Sequence, residues 1–121
     1  MNKIKLGAVD ARFADIIWNN APITTGDLVK KCAEALDWKR TTVYTALKKF
    51  CDNEIFKTEN GTVSVLISRD ELHSMQSTRF VNEVFDGSLP AFIASFASGR
   101  KLRPDEITEI QKMINDAKEE T

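Results

Sequence analysis

Residues 38–50 read Trp38-Lys39-Arg40-Thr41-Thr42-Val43-Tyr44-Thr45-Ala46-Leu47-Lys48-Lys49-Phe50. Val43, Ala46, Leu47 and Phe50 recur at i, i+3, i+4 and i+7, the period of a helix with one face on a core. The opposite face carries Thr41, Tyr44, Thr45 and Lys48, with Thr42 beside it. Lys39 and Arg40 stand at the start and Lys49 at the flank. No acid occurs between Trp38 and Phe50, although the whole chain has 18 Asp and Glu against 17 Lys and Arg. Cations at the ends of a helix and short polar groups between them suit a DNA groove. The cations meet phosphates, while Thr, Tyr and Arg reach base edges.

On the amino-terminal side, Thr24-Thr25-Gly26-Asp27 reads as a helix start, a Thr cap with an acid in the first turn. Leu28, Val29, Cys32, Ala33 and Leu36 follow at helical spacing, and Asp37-Trp38 interrupts before the basic helix. Two short helices joined by a brief turn, the second basic outside and apolar inside, form a helix-turn-helix. Before them, Val9, Phe13, Ile16 and Ile17 mark a first helix that ends near Asn19-Asn20 and is stopped by Ala21-Pro22, with Trp18 at the edge of its stripe. Met1 to Gly7 is short and weakly patterned and is expected to be partly disordered.

On the carboxyl-terminal side, Cys51-Asp52-Asn53-Glu54 reads as a polar break. Two β-prone runs follow, Ile55 to Thr58 and Thr62 to Ile67, separated by Glu59-Asn60-Gly61. Asn-Gly between such runs is a strong hairpin signal. A hairpin directly after a groove-reading helix makes a winged helix. Its tip can offer Lys57, Asn60 and backbone N–H groups to phosphates; alternatively the hairpin only covers the core.

Ser68-Arg69-Asp70-Glu71 is a capping box. It should open a helix running to Phe85, with Leu72, Met75, Phe80, Val81, Val84 and Phe85 apolar, and Asp86-Gly87 should close it. Leu89, Phe92, Ile93 and Phe96 form a short apolar helix that stops at Gly99. Pro104 suits a first turn, and Ile107, Ile110, Met113, Ile114 and Ala117 continue on one face. These three helices carry much apolar surface and little mass with which to wrap it, and such surface costs about 25 cal/mol per Å² to leave in water. Two copies interleaving the helices as a symmetric dimer would cover it; an intramolecular bundle is the alternative. The expected architecture is mainly α with a small β-hairpin wing. Residues 6–68 would form a winged helix-turn-helix DNA-binding domain and residues 69–121 a helical dimerisation region.

With 121 residues, 42% of them hydrophobic, the chain suits one small domain plus an appendage. A net charge of −1 excludes non-specific coating of nucleic acid, so DNA binding must come from the local basic patch. Two cysteines inside apolar segments read as buried free thiols, and with one histidine and no paired-cysteine motif neither a metal nor a cofactor is expected. No apolar run is long enough to span a membrane and no export signal is visible, which places the chain in the cytoplasm. Nucleophile motifs and Gly-rich phosphate loops do not occur, so an enzyme is not expected.

Several of these segments together resemble one family. "DIIWNNAPITTGDLVKKCAEALDW", "TTVYTALKKF", the short wing and "RFVNEVFDGSLPAFIASF…LRPDEITEIQKMI" look like the penicillinase-repressor family, roughly from Leu6 to Ile114. The resemblance implies a homodimeric repressor on a palindromic operator of double-stranded DNA, with genes of the β-lactamase kind under its control. It implies DNA contacts by Lys39, Arg40, Thr41, Thr42, Tyr44, Thr45 and Lys48, and a dimer interface in the last three helices. It also implies a membrane sensor-protease as a partner, which cleaves between an Asn and a Phe. The matching position here is Ser95-Phe96, with the Phe kept and the Asn replaced. The cysteine cluster of the family's copper-responsive branch has no counterpart. The competing reading, from a different class, is a winged-helix protein-interaction module whose basic face docks an acidic partner.

Overall fold

The computed structural model describes residues 6–120. In order along them come α1 (Ala8–Asn20), β1 (Ile23–Thr24), α2 (Thr25–Leu36), α3 (Arg40–Asp52), β2 (Phe56–Glu59), β3 (Thr62–Val65), α4 (Arg69–Val84), α5 (Leu89–Gly99) and α6 (Pro104–Glu119). The chain is thus mainly α with a small antiparallel sheet, a winged helix-turn-helix followed by three helices. It divides into two compact units, the first ending at Ser77 and the second beginning at Thr78, so the division falls inside α4. Met1 to Lys5, for which disorder is expected, lie outside the described residues, and Gly7 is the extended N-cap of α1.

The core of the first unit gathers one face of every helix in it. Phe13 and Ile17 of α1, Leu28 and Cys32 of α2, and Val43, Leu47 and Phe50 of α3 are buried with Ile55, Phe56, Val63 and Leu72. Phe50 lies 5.3 Å from Phe56 and 5.6 Å from Phe13, ring centroid to centroid. Val9, expected on the buried stripe, is in the first turn of α1 and is exposed. Trp18 sits at the edge of the core as the sequence suggests: it meets Phe56 edge-on, and its Nε1 donates to the Ile67 carbonyl at 3.0 Å.

Local chemistry sets the boundaries. Thr24 Oγ1 accepts from the Asp27 N–H at 3.1 Å and caps α2. Asp37 turns the chain out of α2 with φ 57°, a left-handed conformation that Asp tolerates. Trp38 then folds inward and stacks on Phe13 at 5.3 Å. α3 runs two residues past Phe50, into the segment expected as a break, and its last turn holds a Lys48–Asp52 pair at i, i+4.

The wing forms at the Asn-Gly signal. Asn60 and Gly61 both have positive φ, 52° and 73°, as a primed two-residue turn requires. The register pairs Phe56 with Val65 and Glu59 with Thr62. β3 stops at Val65 instead of Ile67, because the Leu66 and Ile67 N–H groups both return to the Ile55 carbonyl. The sheet also contains β1, unforeseen from sequence, which pairs Ile23 with Val63 and makes the order β1-β3-β2.

The capping box opens α4 reciprocally: the Glu71 N–H donates to Ser68 Oγ at 3.1 Å and the Ser68 N–H to Glu71 Oε1 at 3.3 Å. At the other end, Asp86 and Gly87 are left-handed, and the Gly87 N–H returns to the Val81 carbonyl. In the second unit, Ser88 Oγ caps α5 by accepting from the Ala91 N–H. Arg100 forks onto Glu106 at 2.9 and 3.0 Å, and the Arg103 N–H donates to the same carboxylate. The Arg100 fork, helped by that N–H, pulls the Glu106 carboxyl down to about 2.

Candidate nucleic-acid interface

α3 is held by its apolar face, so its polar face is free to meet a ligand. Arg40, Thr41, Thr42, Tyr44, Thr45 and Lys48 are all exposed, as is Lys39, the N-cap. Thr41, Thr45, Lys48 and Asp52 succeed one another at i, i+4, i+7 and i+11, with Tyr44 alongside at 40% exposure. Lys39 and Arg40 meet no acid among the described residues. Thr45 Oγ1 donates to the Thr41 carbonyl at 2.9 Å. Its hydroxyl hydrogen is spent on the helix, which leaves a lone pair and a methyl to offer outward. Those fit a base donor or a thymine methyl.

Three of the expected cations already have partners. Lys48 Nζ is 2.8 Å from Asp52 Oδ2, which raises the lysine pKa through that hydrogen bond. Lys49 Nζ is 2.8 Å from Asp10 Oδ2 and ties α3 to α1 at the edge of the polar face. Lys57 Nζ is 2.8 Å from Glu59 Oε2, and the contact raises the lysine and lowers the glutamate. Asp52 and Glu59 are the residues sequence reasoning missed. The signal was available in the spacing: i+4 on a helix and i+2 on a strand both place a pair on one face.

The wing tip is anchored rather than loose. The Thr25 N–H donates to the Gly61 carbonyl at 3.0 Å, joining the hairpin turn to the start of α2, and Asn60 remains exposed. The two cysteines are free and differ in setting. Burial pushes the Cys32 thiol up to about 11, and Cys51 Sγ lies 3.5 Å from Thr58 Oγ1. No cluster of three or more metal-ligating side chains occurs among the described residues.

The second unit presents the other expected surface. Its phenylalanines gather, Phe80, Phe85 and Phe92 lying 5.6 to 6.0 Å apart, yet no residue of α5 or α6 is buried. Phe80 is 49% exposed and Met113 65%, and Val84, Leu89, Ile93, Phe96, Ile107 and Ile114 are exposed with them, while Phe85, Phe92 and Ile110 are half-buried. Ser95 and Phe96 sit inside α5. The Ser95 carbonyl accepts from the Ser98 hydroxyl at 2.8 Å, and the Arg100 guanidinium covers the Phe96 ring at 4.6 Å.

A helix-turn-helix with a polar, cation-ended second helix and a hairpin wing defines the class of winged-helix transcription regulators. The family described as penicillinase repressor matches residues 6–116, and the chain belongs to that family. It is 21% identical over 118 residues to a penicillinase repressor of Staphylococcus aureus, a match that covers 94% of each chain. To a penicillinase repressor of Bacillus licheniformis it is 22% identical over 123 residues, 98% of this chain and 96% of that one. The family is one of transcriptional repressors, and its members regulate rather than catalyse. No helix among the described residues is long and apolar enough to cross a membrane.

Proposed function

We propose that this chain represses transcription by binding a palindromic operator as a homodimer. Residues 6–68 act as the DNA-binding domain and residues 69–121 as the dimerisation region. The observation that carries the proposal is the exposed face of α3, where Thr41, Tyr44, Thr45 and Lys48 follow the cations Lys39 and Arg40. Lys39, Arg40, Lys48 and, on the wing, Lys57 and Asn60 take phosphates, with Lys49 at the rim. Arg40, Thr41, Thr42, Tyr44 and Thr45 read base edges. For Lys48 and Lys57 the phosphate replaces Asp52 and Glu59, so binding includes the loss of two exposed ion pairs.

Phe80, Val84, Phe85, Leu89, Phe92, Ile93, Phe96, Ile107, Ile110, Met113 and Ile114 meet the same residues of a second copy across a two-fold axis. A dimer gives the second half-site a high effective concentration, and anything that weakens the dimer therefore weakens repression. The relatives' names point to genes of the β-lactamase kind as targets, controlled in the cytoplasm where the DNA lies. Release by a membrane sensor-protease at Ser95-Phe96 would first have to unwind α5 and lift Arg100 from the Phe96 ring, since proteases take extended chain.

Selection of duplexes from a random library by the full chain tests the proposal. A repressor of this kind recovers an inverted repeat with half-sites one helical turn apart. Recovery without sequence preference would instead mark a protein-interaction module.

A further inference from the structure

Thr45 lies in the second turn of α3, four residues after Thr41 on the exposed row and beyond the cations at the helix start. Its Oγ1 is 2.9 Å from the Thr41 carbonyl oxygen. A carbonyl only accepts, so the hydroxyl hydrogen points back along the helix. The same bond chooses the rotamer. A β-branched side chain has few that a helix allows, and this one must return Oγ1 to the preceding turn. Oxygen and methyl are therefore both fixed in direction, and Thr45 offers outward one acceptor beside one apolar group. Its neighbours on the helix are less selective: the Thr41 and Thr42 hydroxyls have no partner among the described residues, so each can turn to donate or to accept.

The major-groove edges of the base pairs differ in what they show such a group. Adenine presents the N6 amino donor, and the thymine paired with it presents the C5 methyl. Guanine has the O6 acceptor where adenine has that donor, and cytosine has no methyl. An A·T pair thus matches Thr45 twice. A G·C pair sets a lone pair of guanine against that of Thr45 and leaves the Thr45 methyl without a partner. Its one donor, N4, sits on the base that lacks the methyl.

We infer that Thr45 is a specificity-determining residue for an A·T base pair in each half-site: its lone pair accepts from adenine N6 while its methyl packs on the thymine methyl. This deepens, and rests on, the operator binding proposed above.

The experiment uses the full chain and the duplex that the wild type selects from a random library, altered at one A·T pair at a time within one half-site. One alteration replaces thymine by uracil and removes only the methyl. The other replaces the pair by guanine with 5-methylcytosine, which keeps the methyl and exchanges the N6 donor for the O6 acceptor. At one pair the wild type loses about four-fold in affinity to the first, the contribution of one methyl group taken out of water, and about ten-fold to the second. Thr45→Ser keeps the oxygen: it loses less than about two-fold to uracil at that pair and still about ten-fold to guanine with 5-methylcytosine. Thr45→Val keeps a methyl and shows the opposite, about four-fold to uracil and less than about two-fold to the other pair. Each variant is compared on the same duplexes, so changes in the DNA itself cancel. Thr45 is exposed, so both variants keep the wild-type thermal midpoint. A uracil loss that persists in Thr45→Ser overturns the inference. So does a guanine loss that persists in Thr45→Val, or a wild type indifferent to both alterations at every A·T pair. If the wild type selects no preferred sequence, it is the operator reading that has failed, before any base is altered.

Discussion

The two units both rely on phenylalanine and use it differently. Phe13, Phe50 and Phe56 of the first unit stack at 5.3 to 5.6 Å and are at most 1% exposed, enclosed by helices on one side and the sheet on the other. Phe80, Phe85 and Phe92 of the second unit approach almost as closely, 5.6 to 6.0 Å, yet Phe80 remains half in water and neither α5 nor α6 buries a residue. The first unit has opposing layers within one chain, and so completes a core. The second has aromatic clusters left open to water. Surface of that kind is where a partner docks, and a second copy with the same uncovered surface is the partner we propose.

The largest effect should come from breaking the closed core. Phe50→Ala leaves a cavity among Phe13 and Phe56 and costs about 3–5 kcal/mol, a large share of the stability of a small domain. Urea denaturation of the full chain should show it as a lower midpoint, with DNA binding lost at temperatures where the wild type still binds.

A smaller effect, and of another kind, is expected from the open cluster. Phe80→Asp should leave the melting of the winged helix unchanged but raise the dimer dissociation constant by about thirty-fold or more, roughly 2 kcal/mol, as for a central interface aromatic. Sedimentation at several concentrations reads this directly. If the face stays wet in solution, the substitution changes neither mass nor stability beyond about 0.5 kcal/mol, and the contrast between the two units loses its meaning.

Next come the base-reading side chains. Tyr44→Ala and Arg40→Ala should each remove about 1–3 kcal/mol of discrimination against a substituted base pair while stability stays constant, since both are exposed. Competition binding with single-base-pair variants of the selected duplex measures it. The smallest effect is that of Lys48→Ala, which should lower the salt slope by about one unit and weaken binding to all sequences alike. Asp52→Asn should do the reverse, because it frees the ammonium from its partner at 2.8 Å. A salt slope unchanged in both variants removes Lys48 from the phosphate contacts.

Much of the first unit is legible in the sequence because its signals are local. Val43, Ala46, Leu47 and Phe50 give the buried face of α3 by period alone, Thr24 and Ser68 give their caps, and Asn60-Gly61 gives the turn. What escapes a sequence reading depends on distant partners or on very short elements. β1 is two residues long, too short for any alternation, and exists because Val63 offers an edge to Ile23. The Lys49–Asp10 and Arg69–Asp15 pairs span 39 and 54 positions, beyond any pattern of sequence spacing. The end of α3 lies two residues beyond its expected place because Cys51-Asp52 has the composition of a polar break; Asp52 instead completes an i, i+4 pair and brings one acid onto the outward row. Of the candidate interface, the exposed row of α3 is legible by period, and of the partners that hold three of its expected cations, Asp52 and Glu59 are signalled by their spacing while Asp10 is not.

Electrophoretic titration of the full chain against the selected inverted repeat, and against the same duplex with one half-site scrambled, tests the central claim most directly. A clasped pair of winged helices loses well over ten-fold in affinity when the second half-site is removed, because the second contact is then no longer intramolecular. Equal affinity for both duplexes, or for any unrelated duplex of that length, would contradict it.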